Sequence, residues 1–259
     1  MNEELKILAH KTVNSIYRKI RRAKPTEFYK FGNNIGIGAD GSVTKYVDKI
    51  AEDAALNVLE KSKIKVNLLS EEIGFVDHGA DYTFVLDPID GTRNAYRGIP
   101  FFAVSLAIGK SKISDIEYGI VKNIPTGDIF TAKKGYGAFL NKKRIGVPDV
   151  PDKELCSSLA LGKNFDKLTI TLAKKEKVRS LGSASLEMCM VAIGALDFYV
   201  VGKEYIRVVD IAAATLILRE AGGIVSNIFG EELDMPFNLD DRTSIVAACN
   251  EELIQKIIS

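Results

Sequence analysis

The sequence predicts an α+β first half followed by an α/β second half, and three observations carry that expectation. Two long segments near the start repeat apolar residues at helical spacing. Between residues 63 and 141 the period changes to that of consecutive short strands with turn residues between them, which implies a largely antiparallel sheet. From about residue 150 strands and helices alternate, the pattern of an α/β layer. The halves are assigned to residues 1–145 and 146–259, within a boundary zone from 138 to 152 set by this change of pattern alone.

Leu5, Leu8, Ala9, Val13, Ile16, Tyr17 and Ile20 mark the first helix. The basic run RKIRRAK at its end reads as a solvated face suited to a helix C-terminus. Val47, Ile50, Ala51, Ala54, Ala55, Val58 and Leu59 mark the second helix. The intervening FGNNIGIGADGSVTK is rich in Gly and Asn and reads as a loop. Strands follow where Ile64, Val66 and Leu68 alternate, and at YTFVL, FFAVSLAIG, IEYGIVKN, DIFTAKK and GYGAFLN. In the second half SLALG is a strand, Phe165 to Lys174 a helix, SLEMCMVAIGA a helix and DFYVV a strand. VVDIAAATLILREAGG is a helix that stops on Gly222 and Gly223. GIVSN and SIVAACN are strands, and EELIQKIIS closes the chain as a helix.

Thirty-five basic and 34 acidic side chains leave the 259 residues with a net charge of +1. No basic stripe marks a nucleic-acid or membrane partner. No apolar run approaches about 18 residues, and the N-terminus lacks a signal-type apolar region, so a cytoplasmic protein is expected. Cys156, Cys189 and Cys249 give neither a disulfide framework nor a zinc ribbon; each reads as a small buried hydrophobe, with a bridge between one pair left open. The two histidines, His10 and His78, rule out a histidine-rich metal site and leave a Ser-His-Asp triad poorly served. Carboxylates remain as the agents of any chemistry.

Apolar segments deliver carboxylates at their ends. NLLSEEIG supplies Glu71 and Glu72, FVLDPID supplies Asp87 and Asp90, IRVVDIAAA opens with Asp210, and the loop GADGS offers Asp40. Singly, each has a bland reading: Asp210 as a helix cap, Glu71 and Glu72 as a solvated turn, Asp90 as the cap of a short helix at GTRNAY. Gathered in one region they would repel one another without a cation, and Mg²⁺ or Mn²⁺ prefers oxygen ligands of this kind. Pro88 holds Asp87 extended, and Gly91 lets the backbone approach a ligand. The N–H groups that follow, with Thr92, can face an anion, so the segment suits metal-assisted phosphate hydrolysis.

SEEIG, LDPIDGTRN and VVDIAAATLILREAGGIV, in that order, resemble the signature elements of the inositol monophosphatase superfamily, and the resemblance covers almost the whole chain. It implies a layered α-β-α-β-α sandwich, a homodimer, and a phosphatase with two or three Mg²⁺ per site that uses metal-activated water and no enzyme nucleophile. Carried over, Glu71, Asp87, the carbonyl of Ile89, Asp90 and Asp210 would be metal ligands. Asp90, Gly91 and Thr92 would meet the substrate phosphate, and Thr92, Asp90, Glu71 and Asp40 would serve catalysis. LGSAS matches a family turn, so Gly182, Ser183 and Ala184 would border the substrate. The family's Val-Thr-x-x-Asp reads VTKYVD here, with Asp48 one residue late, and Asp40 is ranked above Asp48 for the third-metal or water-orienting role.

Seven residues before the helix aspartate, where inositol-selective members carry Glu, this chain has Lys203; Arg179 precedes the substrate-bordering turn. Each alone reads as a solvated charge, but on the sugar side of the site the pair suits a second phosphate. That is similar to archaeal-type enzymes acting on both fructose 1,6-bisphosphate and inositol monophosphates. The alternative within the fold is a 3′-phosphoadenosine 5′-phosphate phosphatase, and the distant one a non-catalytic metal-dependent binding protein.

Overall fold

The computed structural model describes residues 2–22, 28–39, 41–148, 154–161 and 167–259. Helix α1 (Glu3–Arg21) buries the stripe its period predicts, and Asn2 caps it by accepting the Glu4 N–H at 3.1 Å. Glu3 and Glu4 in the first turn and Arg18, Lys19 and Arg21 in the last complement the helix dipole. A short α2 (Phe28–Phe31) follows. The Gly- and Asn-rich segment expected as a loop instead forms an antiparallel ribbon, β1 (Asn34–Ile37) with β2 (Val43–Lys45). All four β1 residues are exposed, so no inside-outside alternation marks the strand, and Gly41, at φ +81°, serves the turn. Helix α3 (Tyr46–Glu60) leads into the main sheet.

That sheet holds β3 (Asn67–Ser70), β4 (Gly74–Val76), β5 (Thr83–Asp90), β6 (Ala103–Gly109), β7 (Tyr118–Asn123), β8 (Ile129–Lys133), β9 (Gly137–Leu140) and β10 (Lys143–Ile145). Its order is β10-β9-β8-β7-β6-β5-β3-β4, antiparallel throughout except for the β3–β5 pair. Ile64 and Val66 precede β3, so the alternation read there ends up mostly in the approach to the strand. Helix α4 (Thr92–Arg97) lies between β5 and β6.

The second sheet holds β11 (Cys156–Leu159), β12 (Lys177–Arg179), β13 (Phe198–Ile206), β14 (Ile224–Ser226) and β15 (Thr243–Ala248), ordered β12-β11-β13-β15-β14. Strand β11 runs parallel to β12 and β13, while β15 is antiparallel to β13 and β14. The helices here are α5 (Lys167–Lys175), α6 (Ala184–Ala192), α7 (Val208–Glu220) and α8 (Glu251–Ile258). The expected helix start at Phe165 and residues 149–152 of the boundary zone lie outside the described residues.

Alternation along the strands sets the layers. Phe84, Leu86, Val104, Leu106, Ile108 and Ile120 pack with α1 and α3 on one face of the main sheet. Val85, Ala103, Ala107 and Val121 pack on the other with α6 and α7. Those two helices are apolar nearly all round, as a helix held between two sheets must be. On the second sheet Tyr199 faces α6, whereas its neighbour Phe198 faces the groove between α5 and α8. The result is an α-β-α-β-α sandwich in which α6 and α7 join the two halves.

Candidate active site

Asp87 and Asp90 are three apart, so a flat strand would send them to opposite faces. The ladder between β5 and β6 slips at this point: Asp87 opposes Ser105 and Asp90 opposes Ala103. Three steps on one strand against two on the other make a bulge at Pro88, which has no N–H to give the ladder. Both carboxylates therefore turn to the face covered by α6 and α7. Within the bulge the Ile89 N–H donates to Asp87 Oδ1 at 3.0 Å.

Glu71 lies in the turn after β3. That turn is held from α3 by the buried Glu52, whose Oε1 accepts Ser70 Oγ at 2.7 Å and the Ile73 N–H at 3.1 Å. Asp210 is the third residue of α7. Carboxylate oxygens of Glu71, Asp87 and Asp210 all lie within 4.8 Å of one another. Burial, followed by the charges of Glu71, Asp90 and Asp210, pushes Asp87 well above the usual carboxylate range. Three carboxylates this close and this dry are costly on their own, and an all-oxygen donor set fits a hard divalent cation. One cation is already present: Arg207 Nη1 reaches Glu71 Oε1 and its Nη2 reaches Asp210 Oδ1, each at 2.8 Å.

Asp90 turns away from that trio. Its Oδ2 accepts Ser183 Oγ at 2.6 Å, the Ser185 N–H at 2.8 Å and the Ser185 hydroxyl, and its Oδ1 accepts the Ala184 N–H at 3.2 Å. It thus caps α6, not α4 as its bland reading would have it, because Gly91 at φ +89° takes the N-cap of α4. Burial raises Asp90 to about 6 against the opposing pull of these hydroxyls.

The Thr92 hydroxyl lies 2.9 Å from Asp48 Oδ1 and 3.0 Å from the Ile89 carbonyl, sharing one proton between two acceptors. Asp48 is buried, accepts the Lys45 N–H at 3.1 Å, and is pushed up to about 7, chiefly by burial. Asp40, ranked ahead of it in the sequence, lies outside the described residues. Of the two, Asp48 is seen at Thr92, and the one-residue delay is absorbed at the start of α3, where Lys45 is the N-cap and Asp48 the third residue. Glu72 accepts the Thr44 hydroxyl.

Beside Asp210 opens a cleft of about 250 Å³ lined by Leu161, Ser180, Gly182, Ser183, Ala184, Glu187, Tyr199 and Tyr205. Its Gly182 turn, at φ +84°, docks on the Gly91 turn so closely that a Cβ on Gly91 would sit 3.0 Å from the Gly182 carbonyl oxygen. Asn94 Nδ2 ties the two turns by donating to the Phe101 and Leu181 carbonyls, each at 2.7 Å. From the other side Glu187 Oε1 accepts the Leu181 N–H at 3.0 Å and the Ser158 hydroxyl. Sequence reasoning missed Asn94, Glu187 and Arg207; a lone Glu in the apolar run SLEMCMVA was the available signal for Glu187.

Arg179 and Lys203 are exposed, on β12 and β13, and neither lines this cleft. Arg179 Nη1 instead folds back to the Lys177 carbonyl at 2.9 Å. A larger groove of about 1140 Å³ between α1 and α3 gathers Lys11, Arg18, Lys19 and Lys61, away from the carboxylate trio. His10 pairs with the Tyr118 hydroxyl at 2.9 Å and His78 Nδ1 with the Val66 carbonyl at 2.7 Å, both outside the site. The three cysteines are free, with Cys189 and Cys249 buried as expected. No helix among the described residues is long and apolar enough to cross a membrane.

The sequence profile of the inositol monophosphatase family matches residues 1–259. The chain is 40% identical over 241 residues to a fructose-1,6-bisphosphatase/inositol-1-monophosphatase of Methanothermobacter thermautotrophicus, covering 88% of this chain and 86% of that protein. It is 38% identical to a bifunctional NADP phosphatase/NAD kinase of Methanocaldococcus jannaschii, across 97% of this chain but only 49% of that longer protein. A solved inositol monophosphatase-fructose 1,6 bisphosphatase superimposes with a TM-score of 0.85 at 33% identity, covering 98% of each chain.

Proposed function

The chain belongs to the inositol monophosphatase family, and from that premise we propose that it is a metal-dependent phosphomonoester hydrolase acting on fructose 1,6-bisphosphate and inositol 1-phosphate. The observation that carries the reading is the meeting of Glu71, Asp87 and Asp210 beside the cleft bordered by Gly182, Ser183 and Ala184. Those three carboxylates, with the Ile89 carbonyl and Asp90, would hold two or three Mg²⁺. When bound there, the cations would supply an activated water and offset charge on the phosphoryl oxygens.

The chain's own residues do the rest. Thr92 and Asp48 form a hydroxyl-carboxylate pair at the mouth of β5, able to orient a water. The first N–H groups of α4 have no intrahelical partners, so those at Gly91 and Thr92 suit phosphate oxygens. To join the ligand set, Asp90 uses lone pairs left by Ser183 and Ser185 or gives those contacts up. Arg179 and Lys203 remain for the far phosphate of a bisphosphate, acting from the exposed rim. A cytoplasmic homodimer completes the proposal.

A second reading, release of phosphate from NADP⁺, is favoured by the relative matched along nearly all of this chain. The test is phosphate release with Mg²⁺ from fructose 1,6-bisphosphate, inositol 1-phosphate, NADP⁺ and 3′-phosphoadenosine 5′-phosphate. Higher kcat/KM for the first two is expected. Preference for either nucleotide overturns the substrate, and no release from any of the four returns the chain to the non-catalytic alternative.

A further inference from the structure

Arg207 is the N-cap of α7, with extended backbone at φ −101°, ψ 162°, and its side chain doubles back along the first turn. Its own N–H donates to Asp210 Oδ2 at 2.8 Å, its Nε to the same oxygen at 3.1 Å, and its Nη2 to Oδ1 at 2.8 Å. Both oxygens of Asp210 therefore carry guanidinium bonds in a fork arrangement. The remaining arm, Nη1, crosses to Glu71 Oε1 at 2.8 Å. The three side chains are 14 to 17% exposed, too enclosed for the pairing to be a passing surface contact.

The two contacts differ in kind. The Arg207–Asp210 contact is local, three residues apart, and is part of how α7 starts. The Arg207–Glu71 contact spans 136 residues and joins the turn after β3 to α7. A divalent cation entering among Glu71, Asp87 and Asp210 adds positive charge beside a guanidinium that already neutralises two of the three. Like charges brought this close in a partly enclosed site repel. The arm on Glu71 is the one that can release without unwinding the helix start.

We propose that Arg207 is the resident counter-ion of the metal-free centre: it holds Glu71 against Asp210 until a divalent cation displaces its Nη1 arm, and so weakens metal binding. The opposite role, a guanidinium that holds both carboxylates in their metal-binding pose, predicts the opposite sign. The inference rests on the metal-binding reading of this site.

Mn²⁺ binding to the full-length protein, followed by calorimetry in the absence of substrate, separates the two. Arg207→Gln is expected to lower the Kd for Mn²⁺ at least tenfold while lowering the melting temperature of the metal-free protein, with the two proteins converging at saturating Mn²⁺. Arg207→Lys, which keeps the charge but loses the fork, is expected to fall between. Unchanged or weaker Mn²⁺ binding by Arg207→Gln overturns the inference. If wild type binds no Mn²⁺ at all, the metal reading itself fails. Should Arg207→Gln not fold, the wild-type protein decides: slow solvent exchange of the Arg207 guanidinium protons by NMR is expected to become fast on adding Mg²⁺, and protons that stay protected overturn the inference.

Discussion

Glu187 sits between the fully buried Leu186 and Met188 in the helix that separates the two sheets. It is 2% exposed on α6, and burial pushes its carboxyl from 4.5 to about 7, against hydrogen bonds from Ser158 and Leu181. A folded value above the unfolded one means the native state holds the proton more tightly. The associated stability is complete below pH 4.5 and is lost as pH rises through about 7. From 4.5 to about 7 is about 2.5 pH units, and at about 1.4 kcal/mol each the full loss is about 3 kcal/mol, of which about 2.5 falls between pH 5 and pH 8.5. Glu187→Gln stays neutral and can still accept both bonds. Its extra amide donors add an offset that does not vary with pH, so the readout is the change in the gap between the proteins. Urea denaturation with EDTA should show the variant gaining about 2.5 kcal/mol on wild type between those pH values, or about 5 to 10 °C in melting temperature. A gap that stays constant, or moves toward wild type, would show that burial does not raise the Glu187 carboxyl.

Asp48→Asn should lower kcat about 100-fold with little change in melting temperature at pH 7, because it removes a proton acceptor from Thr92; a loss under threefold in phosphate-release assays would remove Asp48 from the reaction. Gly91→Ala should cost about 2 to 3 kcal/mol in urea denaturation, since φ is +89° and the new Cβ meets the Gly182 carbonyl oxygen at 3.0 Å. Lys203→Glu should reduce kcat/KM for fructose 1,6-bisphosphate by no more than about fivefold relative to inositol 1-phosphate, because an exposed charge contributes about 1 kcal/mol or less. An unchanged ratio would show that Lys203 does not sense the second phosphate.

What the sequence made legible is local. The two opening helices, the apolar α7 and the DPIDGT turn announce themselves within a few residues, through period, capping and glycine. The short strands β4, β10 and β12 have three residues each, too few for any period. The β1–β2 ribbon hides because Gly and Asn mimic a loop and its exposed strand does not alternate. Within the site the missed pairings are the non-local ones. Asp48 meets Thr92 across 44 residues, Asp90 reaches Ser183 across 93, and Arg207 reaches Glu71 across 136. The one-residue delay in VTKYVD is taken up at the start of α3, where the helix turn brings its third side chain, Asp48, to Thr92. The basic pair shows the converse limit: Arg179 and Lys203 stand near the site in chain order but outside its cleft in space.

Glu71, Asp87 and Asp210 would together hold the cations on which release of phosphate from a sugar phosphate depends. Phosphate release from fructose 1,6-bisphosphate across a Mg²⁺ titration, with wild type and Asp210→Asn side by side, measures that dependence. Saturable Mg²⁺-dependent release by wild type is expected, with none in EDTA and a loss of at least 100-fold in the variant. Release that persists in EDTA, or that Asp210→Asn leaves intact, would contradict that dependence.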